Sequence, residues 1–176
     1  MSRPIIDPID QEITFLADEI IVSKTDLKGR IVYANDVFCR VAEMSTQTAI
    51  GQAHNIIRHP DMPRAIFKLL WDTLAKQQEI FAYVKNMSTS GKYYWVLAHV
   101  TPTLNKTGNV VGYHSNRRVP NRKALGIIEP LYAKLLAEEK KHSDSKKALA
   151  ASSEMLSNFL KETGKPYDEF IWSVGE

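Results

Sequence analysis

Residues 79–119, EIFAYVKNMSTSGKYYWVLAHVTPTLNKTGNVVGYHSNRRV, decide the fold of this chain. Three runs rich in β-branched and aromatic residues, at 79–87, 92–104 and 110–119, are separated by the turn sequences STSG and NKTG. Short turns between such runs are typical of antiparallel strands. The stretch therefore predicts a three-stranded antiparallel meander.

The preceding residues extend this pattern to an α+β domain. Residues 19–25 and 30–34 flank the turn sequence DLKG and predict a β-hairpin. Asn35 then predicts the cap of a short helix, and Pro63 the first turn of a helix with apolar residues at three-four spacing. We expect a five-stranded antiparallel sheet with short helices packed on one face.

The chain turns helical after residue 122. Its apolar stripes predict two helices or one long interrupted helix that closes at Gly164 and Pro166. The final residues, 167–174, mix acidic and large apolar side chains, which suits docking onto a surface. We predict an N-terminal cap over residues 1–18, one domain over 19–119 and a C-terminal helical extension over 120–176.

Composition restricts the classes of function. The 176 residues are 44% hydrophobic and 24% charged with a net charge of +3, which is too small an excess to indicate a nucleic-acid partner. The single cysteine, Cys39, excludes an internal disulfide framework. We expect a cytoplasmic protein without membrane insertion, because no leader pattern and no apolar run of ~20 residues is present.

The polar sequence HNIIRHPDMP, residues 54–63, is the candidate ligand site. Arg58 offers a planar fork of donors and Asp61 an acceptor, and two prolines restrain this ten-residue stretch. This set suits an anionic or hydrogen-bonding ligand. The alternative is a solvated loop in which Asp61 and Asn55 only cap helices, and the residue types alone leave both interpretations open.

The sequences HNIIRHPDMP, FKLLWDTL, VKN and GKYYWVLAHVTP resemble, in order and spacing, the PAS domain of bacterial aerotaxis receptors. The resemblance covers residues 19–119 and implies the PAS fold. It also implies noncovalent binding of flavin adenine dinucleotide (FAD), a role as a redox sensor, and signalling to a chemotaxis receptor. Carried over position by position, the flavin-associated residues of the family are Asn35, Arg58, His59, Asp61, Trp71 and Asn86.

Several of these residues also have purely structural interpretations. Trp71, at helical spacing, is a typical core residue, and His59 can be a core histidine bonded to the backbone. Trp95 is expected to pack on the sheet. Ile80 replaces a tryptophan that many relatives carry, and Phe81 cannot fill its space because strand side chains alternate faces. Cys39 is expected to be a small buried apolar residue that forms no flavin adduct.

Two other functions compete with flavin sensing. A haem-based gas sensor would use His99 or His114 as the iron ligand, and a cofactor-free interaction module would fill its pocket with side chains. An enzyme is not expected, because no nucleophile–base pair or phosphate-binding glycine loop is evident. Since the sequence carries no signalling module, we expect a separate chemoreceptor partner, with a homodimer through the cap or the C-terminal helices as a further option.

Overall fold

The computed structural model of the chain describes residues 6–176, so the first five residues of the predicted N-terminal cap lie outside it. Five strands form one antiparallel sheet in the order β2-β1-β5-β4-β3. The predicted five-stranded antiparallel sheet is confirmed. Its strands are β1 (Ile21–Thr25), β2 (Ile31–Ala34), β3 (Ile80–Met87), β4 (Tyr93–Leu104) and β5 (Val110–Arg118).

Strand alternation gives this sheet two chemically different faces. Val84, Ala98 and Arg117 point to one side, which we call the inner face, and the register pairs Ala98 with Arg117. Trp95 and His99 lie on the opposite, outer face. The helices between β2 and β3 cover the inner face, as predicted.

Three short helices and a 3₁₀ turn build this helical side: α1 (Asp36–Val41), α2 (Thr46–Ala49), the 3₁₀ turn His54–Ile57 and α3 (Arg64–Ala75). Asn35 caps α1 as expected, because its side-chain oxygen accepts from the Phe38 N–H at 3.0 Å. Pro63 stands at the N-cap of α3. The core under these helices contains the fully buried side chains Phe38, Val41, Ile57 and Ile66.

The C-terminal extension forms three helices, α4 (Arg122–Lys140), α5 (Ser145–Thr163) and α6 (Tyr167–Ser173). Gly164, in the left-handed region at φ 69°, ends α5 at the predicted position. The sequence did not predict α6 as a helix, but its expected docking occurs, since Phe170 and Ile171 are buried and α6 contacts β3. The α5 helix packs against α3. Within residues 6–176, none of the helices is both long and apolar enough to span a membrane.

Both edges of the sheet are hydrogen-bonded to other parts of the chain. Along β2, the Gly51 N–H donates to the Ile31 carbonyl at 2.8 Å, and the Ile31 N–H donates to the Gln52 carbonyl at 2.9 Å. Along β3, Arg58 forms an isolated bridge with Asn86, and the Tyr132 hydroxyl of α4 donates to the Tyr83 carbonyl at 2.7 Å. The predicted domain boundaries stay a prediction, because α4, α5 and α6 share one hydrophobic core with the sheet.

The N-terminal segment runs beside the β3–β4 turn. The Ile9 N–H donates to the Gly91 carbonyl at 2.9 Å, and the Ile13 N–H to the Tyr93 carbonyl at 2.7 Å. Gly91 has a φ of +90°, and a Cβ added there would collide with the Asp7 carbonyl oxygen. A side chain at this position is therefore excluded twice, by the backbone conformation and by the close approach of the segment.

We predict that Gly91→Ala destabilises the protein more than Gly108→Ala. Gly108 is the matched control, because it has a φ of +82° in the next turn with no atom within 4 Å of an added Cβ. Gly108→Ala should cost about 1 kcal/mol for the left-handed backbone, and Gly91→Ala a further ~1–3 kcal/mol for the collision. Urea denaturation measures both free energies of unfolding, and equal losses would contradict the described docking of the segment.

Candidate functional site

A cavity of about 280 Å³ lies between α3 and the inner face of the sheet. Its apolar walls come mainly from α3 and from strands β3 and β4, and its polar groups from β1, β5 and the 54–58 segment. Trp71, which is 46% exposed, belongs to the lining and reaches the surface. The apolar wall residues include Ile57, Phe67, Leu70, Leu74, Val84, Ala98 and Val100.

A buried positive charge defines the polar side of the cavity. Arg117, which is 2% exposed, donates through Nη2 to the Ser23 hydroxyl and to His54 Nε2, the latter at 2.9 Å. Ser23 Oγ lies 2.9 Å from the same imidazole nitrogen. Because Nε2 accepts a bond from a guanidinium, it carries no proton, and the Ser23 hydroxyl donates to it. The guanidinium is thus bound only to neutral partners in this cluster.

Burial shifts the pKa of both titratable members of the cluster. Desolvation lowers the pKa of Arg117 to about 10, so the side chain stays cationic at neutral pH. Desolvation, and next the charge of Arg117, lower the pKa of His54 to about 3. The cavity therefore presents a buried cation at Arg117 and a neutral imidazole at His54 over the whole physiological pH range.

Two polar atoms in the cavity lining have no hydrogen-bond partner among residues 6–176. They are Arg117 Nη1 and Thr25 Oγ1, and both are buried. Buried polar groups are paired in most proteins, and an unpaired one carries a desolvation cost. These atoms suit a ligand that brings acceptor atoms to the β1–β5 side of the cavity.

Three of the six predicted site residues meet at this cavity: Arg58, Trp71 and Asn86. The Arg58 guanidinium lies 4.1 Å from the centre of the Phe67 ring and donates to the Met62 carbonyl at 3.0 Å. Trp71 contacts Tyr113 edge to face, with ring centres 5.2 Å apart. Asn86, on β3, is 5% exposed. The loop, helix and strand positions that the resemblance indicated thus converge on one site.

His59 and Asp61 lie beside β3, outside the cavity lining. The Asp61 carboxylate accepts from Lys85 Nζ at 2.8 Å, and the Asp61 N–H donates to His59 Nδ1 at 3.1 Å. Partial burial opposes ionisation of Asp61, but the hydrogen bond and charge of Lys85 outweigh it and lower the carboxyl pKa. These contacts fix the conformation of the loop that carries Arg58.

Asn35 is also outside the cavity lining and holds α1 against β1. Its side-chain oxygen accepts from the Val22 N–H at 3.0 Å as well as from Phe38, and its amide donates to the Ile20 carbonyl at 2.8 Å. The side chain is therefore bonded to backbone groups at both ends. Its role in ligand binding stays a prediction, and its geometry supports a structural one.

Most of the predictions for the other residues singled out in the sequence are confirmed. Ile80 packs on the inner side with Leu70 and Leu74, whereas Phe81 lies on the outer side and stacks on His99 with ring centres 4.1 Å apart. Trp95 is buried on the outer face, 6.1 Å from the Tyr132 ring. One expectation is wrong: Cys39 is only partly buried, because it faces Thr46 Oγ1 at 3.4 Å near the surface.

The two histidines proposed as haem ligands do not reach the cavity. His99 bonds to the Glu79 carboxylate at 2.7 Å on the outer face. His114 alternates with Tyr113 and Ser115, which line the cavity, and lies 3.0 Å from the Asn116 side-chain oxygen. The strand alternation thus directs both rings away from the site.

Sequence reasoning did not assign the cluster of Arg117, His54 and Ser23 to the site. His54 stood within the polar loop but was not singled out. A signal existed for Arg117, because inward positions of β5 recur every second residue and a charged residue at such a position is rare. Reading that signal required knowing which face of β5 is buried.

Comparisons with known proteins agree with this geometry. Residues 31–117 match the family model described as the PAS fold. These residues, which contain four of the five strands and α1 to α3, therefore have the PAS fold. The predicted resemblance to the aerotaxis receptor is confirmed as well: the aerotaxis receptor of Escherichia coli strain K12 is 40% identical over 130 residues.

The relatives are longer proteins. The match covers 73% of this chain but 26% of the aerotaxis receptor. A nitrogen fixation regulatory protein of Klebsiella oxytoca is 30% identical over 99 residues, which cover 56% of this chain and 20% of that protein. The chain thus spans about a quarter or less of these relatives, and what it shares with them is the PAS region.

Solved structures support the fold alone. The dark structure of the blue-light photoreceptor Aureochrome1 LOV aligns with a TM-score of 0.53 at 24% identity, over 69% of this chain and 84% of that one. A PAS domain from Colwellia psychrerythraea aligns with a TM-score of 0.54 at 21% identity, over 57% of this chain and 86% of that one.

We predict that acid destabilises the protein partly through His54. Since the pKa of His54 is about 3 when folded, against an ordinary value of 6.5, the unfolded chain binds the extra proton between these values. The contribution of the neutral His54 ring to the free energy of unfolding is complete above pH ~6.5. It falls as the pH drops toward 3, with a loss of about 2–3 kcal/mol by pH ~4.5.

Urea denaturation across this pH range tests the effect. His54→Gln, which keeps an acceptor for Arg117 and Ser23, should flatten the decline between pH ~6.5 and ~4.5. His114→Gln on the outer face is the control and should keep the wild-type slope. An unchanged slope in His54→Gln would show that His54 is not buried as a neutral ring.

Proposed function

We propose that this PAS domain binds a flavin, FAD, noncovalently in the inner cavity and acts as a cytoplasmic redox sensor for a chemotaxis signalling partner. The observation that carries the proposal is the buried Arg117 guanidinium, which lines the cavity and whose Nη1 has no hydrogen-bond partner among residues 6–176. The resemblance to aerotaxis receptors, which implies FAD, supplies the identity of the ligand.

The residues present fit the flavin ring system. An isoalloxazine ring has a flat apolar body and a uracil-like edge rich in acceptors and donors. Leu70, Leu74 and Val100 offer the apolar slot, and Arg117 and Asn86 offer donors for the polar edge. The volume of about 280 Å³ lies just below the range for ligand sites, roughly 300–1,000 Å³. The cavity therefore suits the ring, with the remainder of a dinucleotide leaving past Trp71.

A bound flavin would supply a change of charge and protonation on reduction. In this chain Arg117 would stabilise added negative charge, because its cation is buried among neutral partners. Asn86 would pass a change in hydrogen bonding to the loop, since its backbone pairs with Arg58 at the edge of the sheet. Through Arg117 and Asn86, the redox state of the flavin would shift the domain between two arrangements of the loop and the sheet edge.

Of the six residues carried over from the family, we assign direct ligand contact to Arg58, Trp71 and Asn86. We assign supporting roles to His59 and Asp61, which hold the loop, and to Asn35, which holds α1. The separate chemoreceptor partner and the homodimer through the N-terminal cap or C-terminal helices stay predictions. Both known relatives named above are regulatory or receptor proteins, which supports signalling over catalysis.

The competing functions have less structural support. The haem sensor has no support from the two candidate iron ligands, because His99 and His114 lie on the outer face, away from the cavity. A cofactor-free module would require a cavity filled by side chains, whereas this one contains open volume and unpaired polar atoms. The absorption spectrum of the purified protein distinguishes the three: paired flavin bands, an intense haem Soret band, or neither.

We predict that Ala98→Leu removes the flavin while the fold remains. Ala98 is 4% exposed and lines the cavity on β4, so a larger side chain would occupy ligand space. Overpacking of ~1–3 kcal/mol against the ligand should weaken binding by roughly tenfold or more. Ala137→Leu, on the exposed surface of α4, is the control.

Flavin absorbance per folded protein, after purification and after reconstitution with FAD, measures the effect. Full occupancy in Ala98→Leu would place the ligand elsewhere. A wild-type protein that is colourless and binds no added flavin would refute the proposal itself.

We predict opposite outcomes for the same substitution at two asparagines. Asn86→Ala should lose flavin with little change in stability, because it removes a group that lines the cavity. Asn35→Ala should cost about 1–2 kcal/mol of stability by removing the cap of α1, yet keep flavin in the folded fraction. Parallel occupancy and urea denaturation measurements test both, and flavin loss in folded Asn35→Ala would restore Asn35 to the binding site.

A further inference from the structure

A buried carboxylate on the C-terminal extension joins three helices at one atom. Glu139, near the end of α4, is 7% exposed. Its Oε1 accepts from the Ala65 N–H in the first turn of α3 at 3.2 Å, and from the Ser152 hydroxyl of α5 at 2.8 Å. Ser152 is itself fully buried. The contact links the end of one helix to the beginning of another 74 residues away in sequence.

The position of this carboxylate suits the helix that it caps. The first N–H groups of a helix lack intrahelical partners and carry the positive end of the helix dipole. Pro63, at the N-cap of α3, makes no side-chain capping bond. Glu139 therefore supplies from a distant helix the acceptor that a local Ser, Thr or Asp supplies in most helices.

Helix α3, which Glu139 caps, also forms one wall of the cavity. Phe67, Leu70, Trp71 and Leu74 line the cavity from α3, while α5 packs along another side of the same helix. On the other side of the extension, the buried Tyr132 hydroxyl holds α4 to the β3 carbonyl of Tyr83. The α4–α5 pair thus spans the two elements, α3 and β3, that bound the site.

A second polar contact joins α3 to the C-terminal extension near Glu139, and this contact is exposed to solvent. Arg64, the first residue of α3, donates through Nη1 to the Ser145 carbonyl at 3.0 Å and to its hydroxyl at 2.7 Å. Exposed contacts of this kind contribute little because water competes for them. Of these two polar contacts between α3 and the C-terminal extension, the buried one at Glu139 therefore constrains α3 more strongly.

We infer that Glu139 is a positioning residue for the ligand site: by capping α3 from outside, it sets the distance between the helix wall and the sheet. Ligand binding and docking of the α4–α5 pair are then thermodynamically coupled through α3, and the coupling acts equally in both directions. This inference rests on the proposed function only for the identity of the ligand. It gives the C-terminal extension a defined role as the element that responds to the occupied cavity.

Amide hydrogen exchange on the full chain tests the capping without any ligand. Glu139→Ala should raise exchange in residues 64–74 by roughly tenfold, with β4 and β5 unchanged. Glu139→Gln keeps an oxygen acceptor for Ala65 and Ser152 and should restore most of the protection. Unchanged exchange in α3, or an equal rise throughout the protein, would overturn the positioning role.

Release of FAD tests the coupling. Glu139→Ala should release flavin roughly tenfold faster than wild type, and Glu139→Gln at nearly the wild-type rate. In the reverse direction, saturating FAD should slow exchange around Ser152 in wild type but not in Glu139→Ala. Faster α3 exchange with an unchanged release rate would overturn the coupling.

Two further outcomes, a variant that does not fold and a wild-type protein that binds no flavin, still test the inference. If Glu139→Ala fails to fold, Ser152→Ala removes one of the two hydrogen bonds and should change exchange and release in the same direction by a smaller factor; no change in either would overturn the inference. If the wild-type protein binds no flavin, the proposed function fails, while the exchange comparison still decides whether Glu139 positions α3.

Discussion

The structure depends on how one buried positive charge is accommodated. A guanidinium that leaves water needs compensating hydrogen bonds, and Arg117 finds two of them on Ser23 and His54. Neither partner is anionic, so the charge is solvated but not neutralised. The incompletely compensated charge forms part of the lining of the open cavity between α3 and the inner face, where it sits opposite the apolar residues of the helix.

Much of the fold follows from patterns that are local in sequence. The strands of the meander alternate over short turns, and Asn35 and Pro63 mark helix starts that the structure has. The α6 helix was not predicted, because its N-cap residue Pro166 makes no side-chain capping bond and its buried residues pack on a distant element, β3. A local capping side chain therefore marks the short helix α1, whereas nothing of that kind marks α6.

The residues of the candidate site were also predicted only in part. Residue types and family resemblance indicated Arg58, Trp71 and Asn86, which lie close together in space although they come from a loop, a helix and a strand. Arg117 and Ser23 were missed because their meaning depends on which strand face is buried and which strands are neighbours. The β1–β5 pairing that joins them links residues 94 positions apart, and no local pattern encodes it.

The hydrogen bonds along both sheet margins have a consequence for assembly. Exposed strand margins are templates for pairing with other chains, but residues 51–52 cover β2, and Arg58 with Tyr132 partly occupies β3. Intermolecular sheet extension would have to break these bonds first. A self-association of this protein would therefore join surfaces of side chains, which can separate and rejoin without unravelling the backbone.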